Sequence, residues 1–127
     1  MTLKKRLIAI CCLCAICLTA IAMPALAASK TSTVNFWATS VTTGPWTGDS
    51  AKKANGYVST GPRNGPVYGQ LQYYSGYVAA TASADDVTGG GDTTYFSGSC
   101  NSLATWRAAG YVRYSGDAGV CSLTIAS

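Results

Sequence analysis

Few residues in this 127-residue chain can do acid–base or nucleophilic chemistry. It contains no histidine, and its five acidic residues are all aspartates: Asp49, Asp85, Asp86, Asp92 and Asp117. Without an imidazole, neither a Ser-His-Asp nor a Cys-His site can form, and the commonest general acid–base group is missing. No glutamate is present to pair with an aspartate as in most glycosidases. Asp85 and Asp86 are adjacent, so on a strand they face opposite ways. Lys52 or Lys53 could enter a Ser-Lys dyad, but nothing marks one serine for that role. Asp117 falls in a turn, where aspartate is common in any case. Asp85, Asp86 and Asp92 around Gly89-Gly90-Gly91 offer oxygens of the kind Ca²⁺ takes, but their spacing does not match an EF-hand loop. The three glycines also lack the Lys-Ser/Thr that completes a phosphate loop. The expectation is a chain with no enzymatic activity, no metal and no cofactor.

What remains is contact chemistry, and strand parity organises it. From Thr105 to Tyr114 the side chains alternate. Trp106, Ala108, Gly110, Val112 and Tyr114 share one face, and Arg107, Tyr111 and Arg113 share the other. A period of two is a half-buried strand. From Val67 to Tyr74, the set Val67, Gly69, Leu71 and Tyr73 opposes the set Tyr68, Gln70, Gln72 and Tyr74. With Trp106 and Leu71 turned inward, Tyr68, Gln70, Gln72, Tyr74, Arg107, Tyr111 and Arg113 form a candidate contact surface. Tyrosine with polar neighbours is the composition of adaptable binding faces. The competing possibility is that this face is covered by another sheet or is merely polar.

Ser115-Gly116-Asp117-Ala118-Gly119 is turn chemistry, and Cys121, Leu123 and Ile125 alternate beyond it. This predicts a β-hairpin with Val112 opposite Cys121 or Leu123, the first register leaving a four-residue loop from Ser115 to Ala118, and with Cys121 pointing inward. Cys100 lies upstream of the hairpin. A Cys100–Cys121 disulfide would tie the return strand to the entering segment and contribute about 3 kcal/mol.

Met1 to Ala27 has the form of a cleaved secretory signal. Lys4-Lys5-Arg6 is followed by an apolar run from Leu7 to Met23, by Pro24, and by Ala25-Leu26-Ala27 with small residues at −3 and −1. Ala20-Ile21-Ala22 is a second possible cleavage site, but it lies inside the apolar run. That run is at the short end for a membrane span. Cys11, Cys12, Cys14 and Cys17 fall inside it and leave with the leader. Residues 28–127 then form a single secreted domain, in a compartment that permits disulfides. Loss of Lys4, Lys5 and Arg6 lowers the formal charge from +4 to +1, because six basic residues remain against five aspartates. That is no footprint for nucleic acid, and no stable membrane insertion is expected after cleavage.

Helix formers other than alanine are scarce, while Tyr, Thr, Val, Ser and Gly abound. Strands are expected at 33–42, 55–60, 67–74, 77–83 and 93–97, followed by the two arms of the hairpin. A helical turn is expected at Ala51-Lys52-Lys53-Ala54, and Trp46 either packs on the core or stands exposed. Gly61-Pro62-Arg63-Asn64-Gly65-Pro66 is a strong turn. Gly-Tyr-Val recurs at 56–58, 76–78 and 110–112, but at unequal spacings that do not describe a solenoid. About seven short strands with regular turns predict an all-β fold, a small antiparallel sandwich or barrel with one disulfide.

A leader, a short Tyr/Gly-rich chain and Trp106-Arg107-Ala108 before a late strand give the chain a general form that resembles small secreted β-sandwich bacteriocins of the lactococcin type. The mature chain is longer than that resemblance implies, and it carries Cys100 and Cys121. Three functions fit: a non-catalytic extracellular binding or surface-interaction protein for an unidentified protein or glycan, a bacteriocin-like antimicrobial or toxin, and a self-associating structural subunit with exposed sheet edges. The leader makes one direct prediction. N-terminal sequencing of protein recovered from the medium should begin near Ala28, whereas membrane-bound material retaining Met1 would refute export and cleavage.

Overall fold

A computed structural model describes residues 29–86 and 89–126. The proposed leader lies outside the described residues. Eight antiparallel strands form two four-stranded sheets packed face to face. They are β1 (Thr31–Phe36), β2 (Thr42–Thr43), β3 (Ala51–Thr60), β4 (Val67–Tyr73), β5 (Tyr77–Ala84), β6 (Asp92–Ala104), β7 (Trp106–Val112) and β8 (Gly119–Ile125). One sheet has the order β1-β8-β3-β6 and the other β2-β7-β4-β5. The fold is a β-sandwich of eight strands, where the sequence predicted about seven.

Alternation builds the core. Val34 and Phe36 from β1, Val58 from β3, Val67 and Leu71 from β4, Trp106 and Val112 from β7, and Cys121 and Leu123 from β8 are all buried between the sheets. Trp106 is fully enclosed, and its indole N–H donates to the Ala51 carbonyl oxygen at 2.9 Å. Its backbone N–H donates to Thr47 Oγ1 at 3.1 Å. Phe36 fits between the sheets only because Gly110 and Gly119 have no side chain. A Cβ on Gly119 would stand 2.7 Å from the Phe36 ring, and one on Gly110 would meet the same ring closer still. Ser32, buried on β1, donates to the Pro45 carbonyl at 2.6 Å and accepts from the Ala108 N–H at 3.0 Å, which bonds the two sheets along one side. On the other side, Gly98 of β6 leans on Ala79 and Ala80 of β5, and Thr94 Oγ1 donates to the Ser83 carbonyl at 2.7 Å.

Several expectations are corrected. The strand expected at 33–42 divides at a bend over 38–40, and the chain passes there from one sheet to the other. Ala51–Ala54 is not a helical turn but the start of β3. The predicted hairpin does not form. β7 pairs with β2 and β4, whereas β8 pairs with β1 and β3. Residues 113–118 therefore arch between the sheets. Val112 and Cys121 both point inward as parity required, but from opposite walls of the core.

The Cys100–Cys121 disulfide is also absent, and both thiols are free. The register explains why. Cys121 is level with Val58, and Val58 is level with Thr94 on β6. Cys100 lies two strands across from Cys121, about 10 Å, and six residues further along β6, about 20 Å. A disulfide requires Cα atoms within about 7 Å.

Packing makes a stability prediction. Trp106→Ala should cost about 3–5 kcal/mol through cavity formation and a lost indole bond, and Gly110→Ala about 1–3 kcal/mol by overpacking against Phe36. Urea melts measure both. A midpoint unchanged in either variant would mean that these residues do not form the core contacts described.

Candidate functional site

The outer face of β4 and β7 gathers most of the contact residues expected from parity. The register sets Tyr68 opposite Tyr111, Gln70 opposite Ala109 and Gln72 opposite Arg107. Cross-strand neighbours on one face are close enough to interact. The Tyr68 and Tyr111 rings stack with centroids 4.8 Å apart and planes 21° from parallel. At the other end, Arg107 Nε–H donates to Gln72 Oε1 at 2.8 Å, and the Gln72 amide donates to Gln70 Oε1 at 2.9 Å. The Arg107 guanidinium lies 4.3 Å from the centre of the Trp46 ring, a cation–π contact. Trp46 therefore joins this outer face instead of the core. Its place follows from the segment after β2, where the Gly44 N–H donates to Ala108 O and the Thr47 N–H to Trp106 O. The aromatic pair and the Arg107 station are four residues apart along β7, about 13 Å, with the intervening Ala109 fully buried and Gln72 only 5% exposed, so that Gln72 positions Arg107 and does not itself face solvent.

Arg113 and Tyr74 depart from that group. Arg113 lies just beyond β7, with its backbone N–H on the Pro66 carbonyl and its guanidinium 5.5 Å from the Tyr114 ring, at the rim of the face. Tyr74 leaves the face altogether. It sits in the β4–β5 turn with φ 56°, a left-handed conformation that costs a residue with a Cβ about 1–2 kcal/mol. Its N–H donates to the Thr105 carbonyl at 3.1 Å, and its ring lies nearly parallel to Tyr77, with centroids 6.0 Å apart. Parity extrapolated from β4 could not register this turn.

The remaining polar groups serve the loops. Asp86 is buried and accepts the N–H groups of Arg63, Gly89 and Gly90 at 2.6, 2.9 and 3.1 Å. Asp92 accepts from the Asp85 N–H at 3.1 Å, and Asp117 from the Gly65 N–H at 3.0 Å. Among the described residues, no cluster of three metal-ligating side chains occurs. Asp86 and Asp92 thus hold backbone around the glycine loop. Asp49 pairs with Lys30 at 2.9 Å.

The two thiols differ sharply. Burial pushes the Cys121 thiol up to about 11, against the opposing effect of backbone hydrogen bonds at Ala109 and Gln70. Cys100 is only half-buried on β6, and its thiol donates to the Ser102 carbonyl at 3.0 Å.

No family model matches the chain, and no curated protein matches it. Among solved structures, it is similar to PirA, with a TM-score of 0.47 and 12% identity over 75% of this chain and 92% of that one. It is also similar to a protein of the Bacillus endospore appendages, described as disulfide-linked pili (TM-score 0.41, 13% identity, 78% of this chain and 88% of that one). A third is CsCBM6-3 from Clostridium stercorarium in complex with cellobiose (TM-score 0.37, 17% identity, 68% of this chain and 66% of that one). At these identities the likeness concerns the β-sandwich alone.

Thiol chemistry tests the placement of the cysteines. Thiolate is the reactive form, and Cys121 stays protonated until the pH approaches about 11. Iodoacetamide at pH 8 should therefore label Cys100 in the native protein and Cys121 only after denaturant is added, as read by peptide mass. Labelling of Cys121 as fast as Cys100, or of neither residue before reduction, would contradict the described positions.

Proposed function

We propose that the chain is a secreted, non-catalytic binding protein that takes an extracellular protein or glycan on the outer face of β4 and β7. The observation that carries this reading is the preorganised group of Trp46, Arg107, Gln72 and Gln70, held beside the stacked Tyr68–Tyr111 pair. Arg107 is fixed by one ring and one amide oxygen, so little side-chain freedom is lost when a partner engages it. Tyrosine rings supply broad contact area at low entropic cost. The aspartates support a non-catalytic role. Asp86, Asp92 and Asp117 are occupied by backbone N–H groups, and no histidine is present to act beside them.

A self-associating structural role is the second reading, and β6 favours it. This edge strand has thirteen residues and carries no proline or lysine, and its regular ladder with β3 runs from Asp92 to Ser99 before the bulge at 100–103.

The test uses binding to intact cells and to extracellular matrix, with unlabelled wild-type protein as competitor. Tyr111→Ala and Arg107→Ala should each weaken competable binding by about 1–3 kcal/mol, with folding stability changed by no more than about 1 kcal/mol. Undiminished binding by both variants would remove this face from the function. Concentration-dependent high-mass species in sedimentation, unaffected by either substitution, would move the assignment to self-association.

A further inference from the structure

A second candidate site lies at one end of the sandwich, across the β4–β5 turn from Arg107, whose Nη2 would stand 3.3 Å from a Cβ on Gly76. β6 departs from β3 there. Ser99 is paired with Lys53 and Ala104 with Ala51, so four residues of β6, 100–103, stand opposite Lys52 alone. A bulge of this kind re-aims side chains and frees backbone from the ladder. The excursion leans toward the β4–β5 turn, and the two enclose an open cavity of about 400 Å³, within the usual size of small-ligand sites. Tyr73, Tyr74 and Tyr77 line one wall, and Asn101, Ser102 and Leu103 the other.

The chemistry of the lining is specific. Tyr74 and Tyr77 are 66% and 59% exposed, with planes only 10° apart. The left-handed Tyr74 backbone, one of two non-glycine positive-φ residues among those described, sets its ring beside Tyr77. Tyr73, behind them, packs on Tyr77 at 5.8 Å and on the buried Trp106 at 5.4 Å, which anchors the aromatic wall to the core. Leu103 is 69% exposed. No charged side chain lines the cavity. Lys52 and Lys53 border a separate depression that Leu103 also borders.

We propose that this cavity binds a neutral saccharide. A pyranose ring has an apolar C–H face and a hydroxyl edge, and the cavity offers the complement to both. Exposed parallel tyrosine rings can take the C–H face, while the Asn101 amide, the Ser102 hydroxyl and the tyrosine hydroxyls can exchange hydrogen bonds with the edge. The uncharged lining selects against uronic and phosphorylated sugars, which would lose hydration without gaining a partner charge. A purely aliphatic ligand would leave these amide and hydroxyl groups without partners. Cys100 also lines this cavity, so occupancy should shield its thiol.

Calorimetric titration of the protein with neutral gluco-, manno- and galacto-oligosaccharides, with oligogalacturonate as the acidic counterpart, tests the proposal. At least one neutral series should bind saturably with a Kd of about a millimolar or tighter, insensitive to salt. It should also slow iodoacetamide labelling of Cys100. Tyr74→Ala, Tyr77→Ala and Asn101→Ala should each weaken that binding, the tyrosine variants by at least about tenfold. Tyr95→Ala, which removes an exposed tyrosine of β6 that does not line the cavity, should leave it unchanged. Replacing Tyr74 by glycine relieves the backbone conformation, so a Tyr74→Gly protein that melts no lower than wild type yet fails to bind separates recognition from folding. The proposal is overturned if no neutral series binds, if oligogalacturonate binds more tightly, or if Tyr74→Gly binds as wild type. It is equally overturned if Cys100 is shielded only as protein concentration rises, because the occupant is then a second copy of the chain.

Discussion

The alternation along β7 is the constraint on which the structure depends. Its inward residues, Trp106, Ala108, Gly110 and Val112, supply the ring, the small floor and the gap that Phe36 fills. Its outward residues, Arg107 and Tyr111, carry the cation–π contact and the tyrosine stack of the proposed contact face. A strand cannot slip by one residue without exchanging these sets. Burial of Trp106 therefore also fixes the outward direction of Arg107. The same strand joins the sheets through Ser32, which bonds the Ala108 N–H and the Pro45 carbonyl. The Pro45-Trp46 segment lies against β7 as a result, and Trp46 reaches Arg107 from there.

Parity made the faces legible in the sequence, but not the sheets. The inward direction of Leu71, Trp106, Val112 and Cys121 follows from alternation alone, and all four are buried. Tyr68, Gln70, Gln72, Arg107 and Tyr111 fall together on one outer face for the same reason. The turn chemistry of residues 115–119 suits an arch between sheets as well as a hairpin. Both connections deliver β8 with Cys121 facing inward, and only the pairing of β8 with β1 and β3 separates them. The disulfide expectation failed with it. Thiol proximity depends on strand order and register, and neither can be read from the number of residues between two cysteines.

Departures from regular pairing were the least legible features, and they lie at the end of the molecule that holds the cavity. One residue, Ala79, is extra where β5 passes the Leu71/Gln72 step of β4. Several residues are extra where β6 passes Lys52. Tyr74 takes a left-handed turn position where glycine or asparagine would be expected. Each is set by a competition between ladder pairing and packing across the sandwich, and no window of sequence contains both sides of that competition. Leu103 shows the consequence. Its position in a Ser-Leu-Ala run gives no reason to expect exposure, yet the bulge turns it outward.

Small residues make those irregularities tolerable. β5 is rich in alanine, and Gly98 of β6 packs on Ala79 and Ala80 where any Cβ would collide. This close approach brings the edge strands of opposite sheets together and shelters part of the β6 edge. Beyond Gly98 the strand no longer has that support, and it bulges away at 100–103. The tyrosines of the β4–β5 turn then face the bulge instead of a neighbouring strand. The cavity is thus a direct result of where the close-packed seam ends. A larger residue at Gly98 would separate β5 from β6 and remove one wall from the other, so the geometry of the site depends on a glycine that does not line it.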